Sequence, residues 1–188
     1  MNILILGPQG SGKSTQAQLL SAGLGLPLVE MGEILRTISL LEDSPTANII
    51  KKSLETGGLV RNETTSFLVN KRLSQKDCKS GFVLDGYPRN QKQLELLDMK
   101  FDKVFYIKVS DEEGTKRLFA RKRHDDTPEV IAERLKIYHA ETEPLLEVFR
   151  KEGILEEIDG ERSIEEIHQD ILERVRSGSD QQKDLQRA

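Results

Sequence analysis

Residues 3 to 15 read ILILGPQGSGKST, four apolar residues running into a glycine-rich segment that closes on Gly12-Lys13-Ser14. No other stretch narrows the possible folds so far. Gly7 to Ser14 match G-x-x-x-x-G-K-[ST] without a gap. The apolar run before the loop predicts a buried strand, and Ala17, Leu20 and Leu24 behind it recur at helical spacing. The loop therefore joins a strand to a helix N-terminus. Gly10 and Gly12, on either side of Ser11, let backbone N–H groups turn inward, and the helix end adds its partial positive charge. Lys13 can then reach β- and γ-phosphates, and the Ser14 hydroxyl, with Thr15 beside it, can serve a magnesium shell. The loop is expected to hold a nucleoside triphosphate. It does not say what receives the phosphoryl group.

Further short apolar runs at 26–29, 82–84 and 104–109, and a weaker one at 154–158, read as strands separated by helical patterns. Alternation of that kind predicts an α/β domain with a parallel sheet covered on both faces, its ligands at the carboxyl ends of the strands. Ser44-Pro45 and Thr127-Pro128 predict helix starts, each with a capping hydroxyl and a proline in the first turn. The 188 residues suit one domain, taken as 1–176, and the polar tail 177–188 is expected to be frayed or disordered. A net charge of −4 argues against nucleic-acid binding, so any cationic site must be local. The single cysteine, Cys78, cannot form an internal disulfide and suits a reducing cytoplasm. The first apolar run is four residues long, which fits neither a signal peptide nor a membrane span.

Two more segments carry chemistry. Asp85 ends the apolar run Phe82-Val83-Leu84, where a carboxylate is expensive unless it meets a cation; magnesium held through water is the expected partner. Gly86 lets the chain turn, Pro88 stiffens the exit, and Arg89 is presented as a planar fork for phosphate oxygens. Arg117 and Arg121 are four apart on one predicted helix face, Lys122 and Arg123 follow, and Arg134 lies in the next helix. Lys122 reads as a solvated side chain.

MGEILR at 31–36, GGLVRNE at 57–63, LDGYPRNQKQ at 84–93 and the basic run 117–135 stand in the order found in nucleoside monophosphate kinases. The sequence resembles the adenylate kinase family over roughly residues 1 to 175. That resemblance implies a P-loop NTPase fold, a five-stranded parallel sheet flanked by helices, with a helical monophosphate-binding insertion near 31–75. It implies that Arg36 and Arg89 hold a monophosphate, with Gly32 and Gly86 beside it. Val60 would lie against the base through its backbone, and Gln93 would read the adenine edge, its amide matching adenine's donor and acceptor. Arg117, Arg121, Arg123 and Arg134 would grip the triphosphate and the moving group. The implied reaction is ATP plus AMP giving two ADP with Mg2+, in a monomeric cytoplasmic enzyme that binds neither nucleic acid nor membrane.

Three departures stand out. The family's T-G-D is Met31-Gly32-Glu33 here, so a threonine hydroxyl is lost and the carboxylate that meets the magnesium waters is a methylene longer. The lid is reduced to a vestige at 121–126, without cysteines to staple it by zinc. A UMP/CMP or broad-specificity kinase remains open at this point, as does a nucleotide-binding sensor with weak catalysis. The acceptor's second ionisation lies near pH 6, so the reaction needs no general base. A sugar or shikimate hydroxyl would need one.

Overall fold

A computed structural model describes residues 1–121, 123 and 126–185, with side chains through Ser177. Strands β1 (Asn2–Leu6), β2 (Leu28–Glu30), β3 (Phe82–Asp85), β4 (Lys103–Lys108) and β5 (Leu155–Asp159) form one parallel sheet in the order β2-β3-β1-β4-β5. All five lie within two residues of the runs read from the sequence.

The strand period of two explains why those runs are unbroken. In β1, Leu4 and Leu6 join a core on one sheet face, and Ile3 and Ile5 join a second core on the other. Phe82 and Leu84 of β3 take the first face while Val83 takes the second. Helix α1 (Lys13–Leu24) covers the second face with Ala17 and Leu20, together with α9 (Ile164–Leu185), which contributes Ile167, Ile171 and Val175. The first face is closed by α2 (Met31–Leu41), α3 (Pro45–Thr56), α4 (Asn62–Leu73) and α8 (Leu145–Lys151). Helices α2 to α4 fill the interval between β2 and β3, the place expected for the monophosphate-binding insertion.

Both predicted caps form: Ala47 N–H donates to Ser44 Oγ at 3.1 Å and Val130 N–H to Thr127 Oγ1 at 3.3 Å. Helix α9 continues to Leu185, over part of the segment expected to be frayed or disordered; among residues whose side chains are described its buried stripe is Ile167, Ile171 and Val175, and 186–188 lie outside the described residues.

Between β3 and β5 stand α5 (Gln91–Glu95), α6 (Asp111–Arg121) and α7 (Pro128–Ile137), the last followed by a π-helical turn, Tyr138–Thr142. His139 on that turn ties two carboxylates, Glu143 at 2.8 Å through Nδ1 and Asp111 of α6 at 2.9 Å through Nε2. Hydrogen bonds donated to Glu143, and then to Asp111, hold its pKa above the ordinary 6.5. The charged form is thus favoured by folding. Its contribution is complete below pH 6.5 and disappears as pH rises through the raised folded value. His139 is exposed, so His139→Gln should lower stability by less than about 1 kcal/mol at pH 5.5 and by nothing at pH 9 in urea titrations. An equal loss at both pH values would remove the charge from the explanation.

Candidate active site

In-register pairing sets Glu30 and Ile5 beside Asp85 and Leu6 beside Tyr106, so the strands finish together. A cleft of about 650 Å3 opens beyond that edge. Every candidate site residue from the sequence lines it: Gly10 to Thr15, Gly32, Arg36, Val60, Asp85, Gly86, Arg89, Gln93, Arg117, Arg121, Arg123 and Arg134. Eight lining side chains are cationic, Arg162 being the eighth, against the carboxylates of Glu30, Glu33 and Asp85. Local positive potential in an acidic protein favours a polyphosphate ligand.

The phosphate loop is held from behind by a contact no motif announces. Gly10 has φ 81°, and a Cβ there would run into the Gly114 carbonyl of α6; a Cβ on Gly114 would sit 2.8 Å from Gln9 O. Two glycines let the loop and α6 pass backbone to backbone, which sets α6, with Arg117 and Arg121, against the loop. Lys13 Nζ donates to Pro8 O at 3.1 Å across the loop. Desolvation pushes the Lys13 ammonium down to about 8, with Asp85 opposing the shift and Arg89, Arg121 and Arg134 adding to it. A bound phosphate would reverse that imbalance.

Ser14 Oγ donates to Asp85 Oδ2 at 2.5 Å. Asp85 is 4% exposed, yet its Oδ1 has no hydrogen-bond partner. A buried carboxylate oxygen left open beside a loop hydroxyl fits a hydrated divalent cation. Glu33, expected to meet the same waters, is instead forked by Arg36, with Nε at 3.2 Å and Nη2 at 3.0 Å from Oε2. Glu30, unremarked in the sequence, lies nearer in topology: its pKa is raised by burial and by Asp85 on the adjacent strand.

Arg89 Nε donates to Gly86 O at 3.0 Å and the Arg89 carbonyl accepts from Thr142 Oγ1 at 2.7 Å. Burial lowers the pKa of Arg89, Asp85 opposes, and Arg134 and Arg36 add to the lowering; a guanidinium so placed stays charged and seeks an anion. The turn carrying it is anchored by Tyr87, whose hydroxyl donates to Gln93 O at 2.7 Å and accepts from Ser66 Oγ at 2.8 Å.

Gln93 is 2% exposed. Its Oε1 accepts from Arg89 N–H at 2.8 Å, and its Nε2 lies 3.2 Å from both Asn62 Oδ1 and Thr65 Oγ1 of α4. Both ends of the amide are thus engaged within the protein.

On the opposite wall Arg117 Nε donates to Glu113 at 2.8 Å and its Nη1 to Gly160 O at 2.8 Å. Asp126, its side chain 1% exposed, receives Arg121 in a fork at 2.6 and 2.9 Å and Arg134 Nη1 at 3.1 Å. Arg134 Nη2 also reaches Leu54 O of α3 at 3.3 Å. Arg123 is exposed at the mouth, and Lys122, His124 and Asp125, within the expected lid at 121–126, lie outside the described residues. In the sequence Asp126 is legible only as part of an acidic pair between arginines. Arg162, Ser163 and Ile164, beside the phosphate loop, belong to no motif and are brought in by the turn after β5.

A family model described as adenylate kinase matches residues 5–154. The chain is 36% identical over 179 residues to an adenylate kinase of Nocardia farcinica, covering 92% of this chain and 97% of that one. It is 44% identical over 157 residues to an adenylate kinase of Mycolicibacterium smegmatis, covering 80% and 86%. With an adenylate kinase of Thermobifida fusca the figures are 37% over 188 residues, 94% and 99%.

Proposed function

The chain belongs to the adenylate kinase family and has adenylate kinase function; from that premise we propose how one cleft divides between ATP, AMP and magnesium. The observation that carries the division is the convergence of Lys13, the arginines and the half-open carboxylate of Asp85 on one cavity. Gly10 to Thr15 cradle the ATP phosphates with backbone amides, Lys13 neutralises their far end, and Arg117 and Arg121 close over them. Ser14 and Asp85 are the residues that would hold magnesium. When bound, the ion neutralises charge on the β- and γ-phosphates.

The monophosphate enters from the side of α2 to α4. Arg36 leaves Glu33 for its phosphate, Arg89 forks onto the same group, and Gly32 and Gly86 permit close approach. Val60 and Gln93 face the base. A phosphate oxygen of AMP attacks the γ-phosphorus in line, the bond to the β-phosphate oxygen breaks, and both products are ADP. The acceptor oxygen carries no proton to remove, so the residues need only align the groups and hold the spreading charge. Arg123 and Arg134 sit where the moving group passes, and the short segment bearing Arg121, Arg123 and Asp126 acts as a minimal lid.

A coupled assay with ATP and each of AMP, CMP, UMP, GMP and dAMP tests this reading. AMP should give the highest kcat/KM; preference for a pyrimidine would overturn the base assignment. Arg89→Ala should raise the KM for AMP by about 30-fold or more, since a charged fork is worth roughly 2 kcal/mol or more, with the affinity for ATP little changed. An unchanged AMP response would remove Arg89 from the acceptor site.

A further inference from the structure

We infer that the π-helical turn Tyr138–Thr142 is a positioning element of the acceptor site, and that Thr142 acts on the monophosphate through the backbone of Arg89. This rests on the assignment above of Arg89 to the monophosphate. Thr142 is 7% exposed, and its Oγ1 donates to the Arg89 carbonyl at 2.7 Å from a point 53 residues along the chain. The other side of Arg89 is held as well. Its N–H donates to Gln93 Oε1 at 2.8 Å, so hydrogen bonds fix both peptide planes that flank its Cα. Its Nε donates to Gly86 O at 3.0 Å, and among the described residues no hydrogen bond takes Nη1 or Nη2. A phosphate would be met by those two nitrogens, carried on a backbone whose angle Thr142 sets. A long side chain magnifies any rotation at its root, and misplacing a substrate-positioning group by about 1 Å can cost about 100-fold in rate.

The turn is built to reach two elements at once. Glu143 N–H donates to Tyr138 O at 2.9 Å, the i to i+5 bond of a π turn. In an α-helix, positions 139 and 142 would stand on one face. The wider turn parts them. His139 Nε2 lies 2.9 Å from Asp111 Oδ2 of α6, while Thr142 and Glu141 engage the Arg89 turn, Glu141 Oε2 accepting from Asn90 Nδ2 at 2.9 Å. Asn90 in turn caps α5, its Oδ1 accepting from Gln93 N–H at 2.9 Å.

Buried Tyr138 at the start of the turn, and Leu145 and Leu146 just beyond it, sink both of its ends into the first core. The turn carrying Arg89 is therefore braced against a segment with a buried footing and a tie to α6, the helix that bears Arg117 and Arg121. Arg89 cannot be aimed by its own short turn alone, because that turn has no other contact to the Arg89 carbonyl.

Thr142→Val keeps the shape of the side chain and removes the hydroxyl. It should raise the KM for AMP about tenfold while the KM for ATP stays within about twofold of the unaltered chain. Thr142→Ser, which restores the donor, should bring the KM for AMP back to within about threefold. In an Arg89→Ala background the same Thr142→Val change should alter the KM for AMP by less than about twofold, because the group it aims is gone. Glu141→Ala, at an exposed position, should raise the KM for AMP about threefold through Asn90, and no rise would remove Glu141 from the element. A tenfold rise from Thr142→Val in both backgrounds, or a matching rise in the KM for ATP, would show that the hydroxyl supports the fold alone and would overturn the inference. So would an unchanged KM for AMP in Thr142→Val with the Arg89→Ala effect intact. An unchanged AMP response in Arg89→Ala itself would instead overturn the reading on which the inference rests.

Discussion

Lys13→Met is expected to lower kcat about 1,000-fold or more while the protein stays folded. The loop amides can still bind phosphate, but the charge that follows the γ-phosphoryl group is gone. Removing one preorganised donor aimed at developing charge lowers rates by about 100- to 1,000-fold, and Lys13 contributes a full charge. Stability should not suffer. The ammonium is pushed down to about 8 by desolvation, so folding already works against its charged form. Its protein partner is a backbone carbonyl, Pro8 O. Methionine keeps all but the last atom of the side chain's length without that desolvation. Single-turnover kinetics and a thermal melt check both halves. Retained turnover, or a fall in Tm of more than a few degrees, would contradict the role assigned to Lys13.

Asp126→Asn should damage both stability and rate, and nucleotide should repair the first. Asp126 is the buried counter-charge to Arg121 and Arg134. Asparagine fills the same volume but leaves two guanidinium groups facing one neutral oxygen. Breaking a buried pair from one side destabilises by about 3 to 5 kcal/mol. Arg121 keeps part of its hydration, with 37% of its side chain exposed, so about 2 to 3 kcal/mol is expected. In a chain of this size that lowers Tm by roughly 4 to 12 °C. A bound triphosphate supplies the missing negative charge, so the difference from the unaltered protein should shrink when saturating ATP is present. The rate should fall about 100-fold, since both arginines lose the anchor that aims them. Equal Tm deficits with and without nucleotide would show that Asp126 supports the fold alone.

The parts of the site written in consecutive residues are readable from the sequence. Gly7 to Ser14 form their loop from local backbone geometry and the helix that follows. Ser44-Pro45 and Thr127-Pro128 start helices for equally local reasons. The strands are visible because a strand buried on both faces must be apolar at every position. The end of helix α9 escapes such a reading because the sequence from Ser177 to Ala188 offers only Leu185 as a strongly apolar residue, and pattern reading depends on an apolar stripe.

Contacts between distant segments are not readable in this way. Nothing in Gly10 or Gly114 separately announces that the two backbones touch. Asp126 looks like half of an acidic pair until Arg121 and Arg134 are seen to converge on it from two helices. Gln93 is marked by the sequence as a polar side chain of the cleft, but which way its amide is turned depends on its neighbours. Those neighbours, Asn62 and Thr65, lie about thirty residues away in the chain.

The order of residues alone thus decided the phosphate loop, the alternation of strands and helices, and the kinds of side chain that would face a nucleotide. Those follow from local sterics and from the period of apolar burial. The fold in three dimensions decided which charges neutralise one another, which buried carboxylate oxygen is left without a partner, and which way a buried amide is turned. Hydrogen bonds and ion pairs act over a few ångströms of space, and chain folding, not sequence distance, sets which groups come that close.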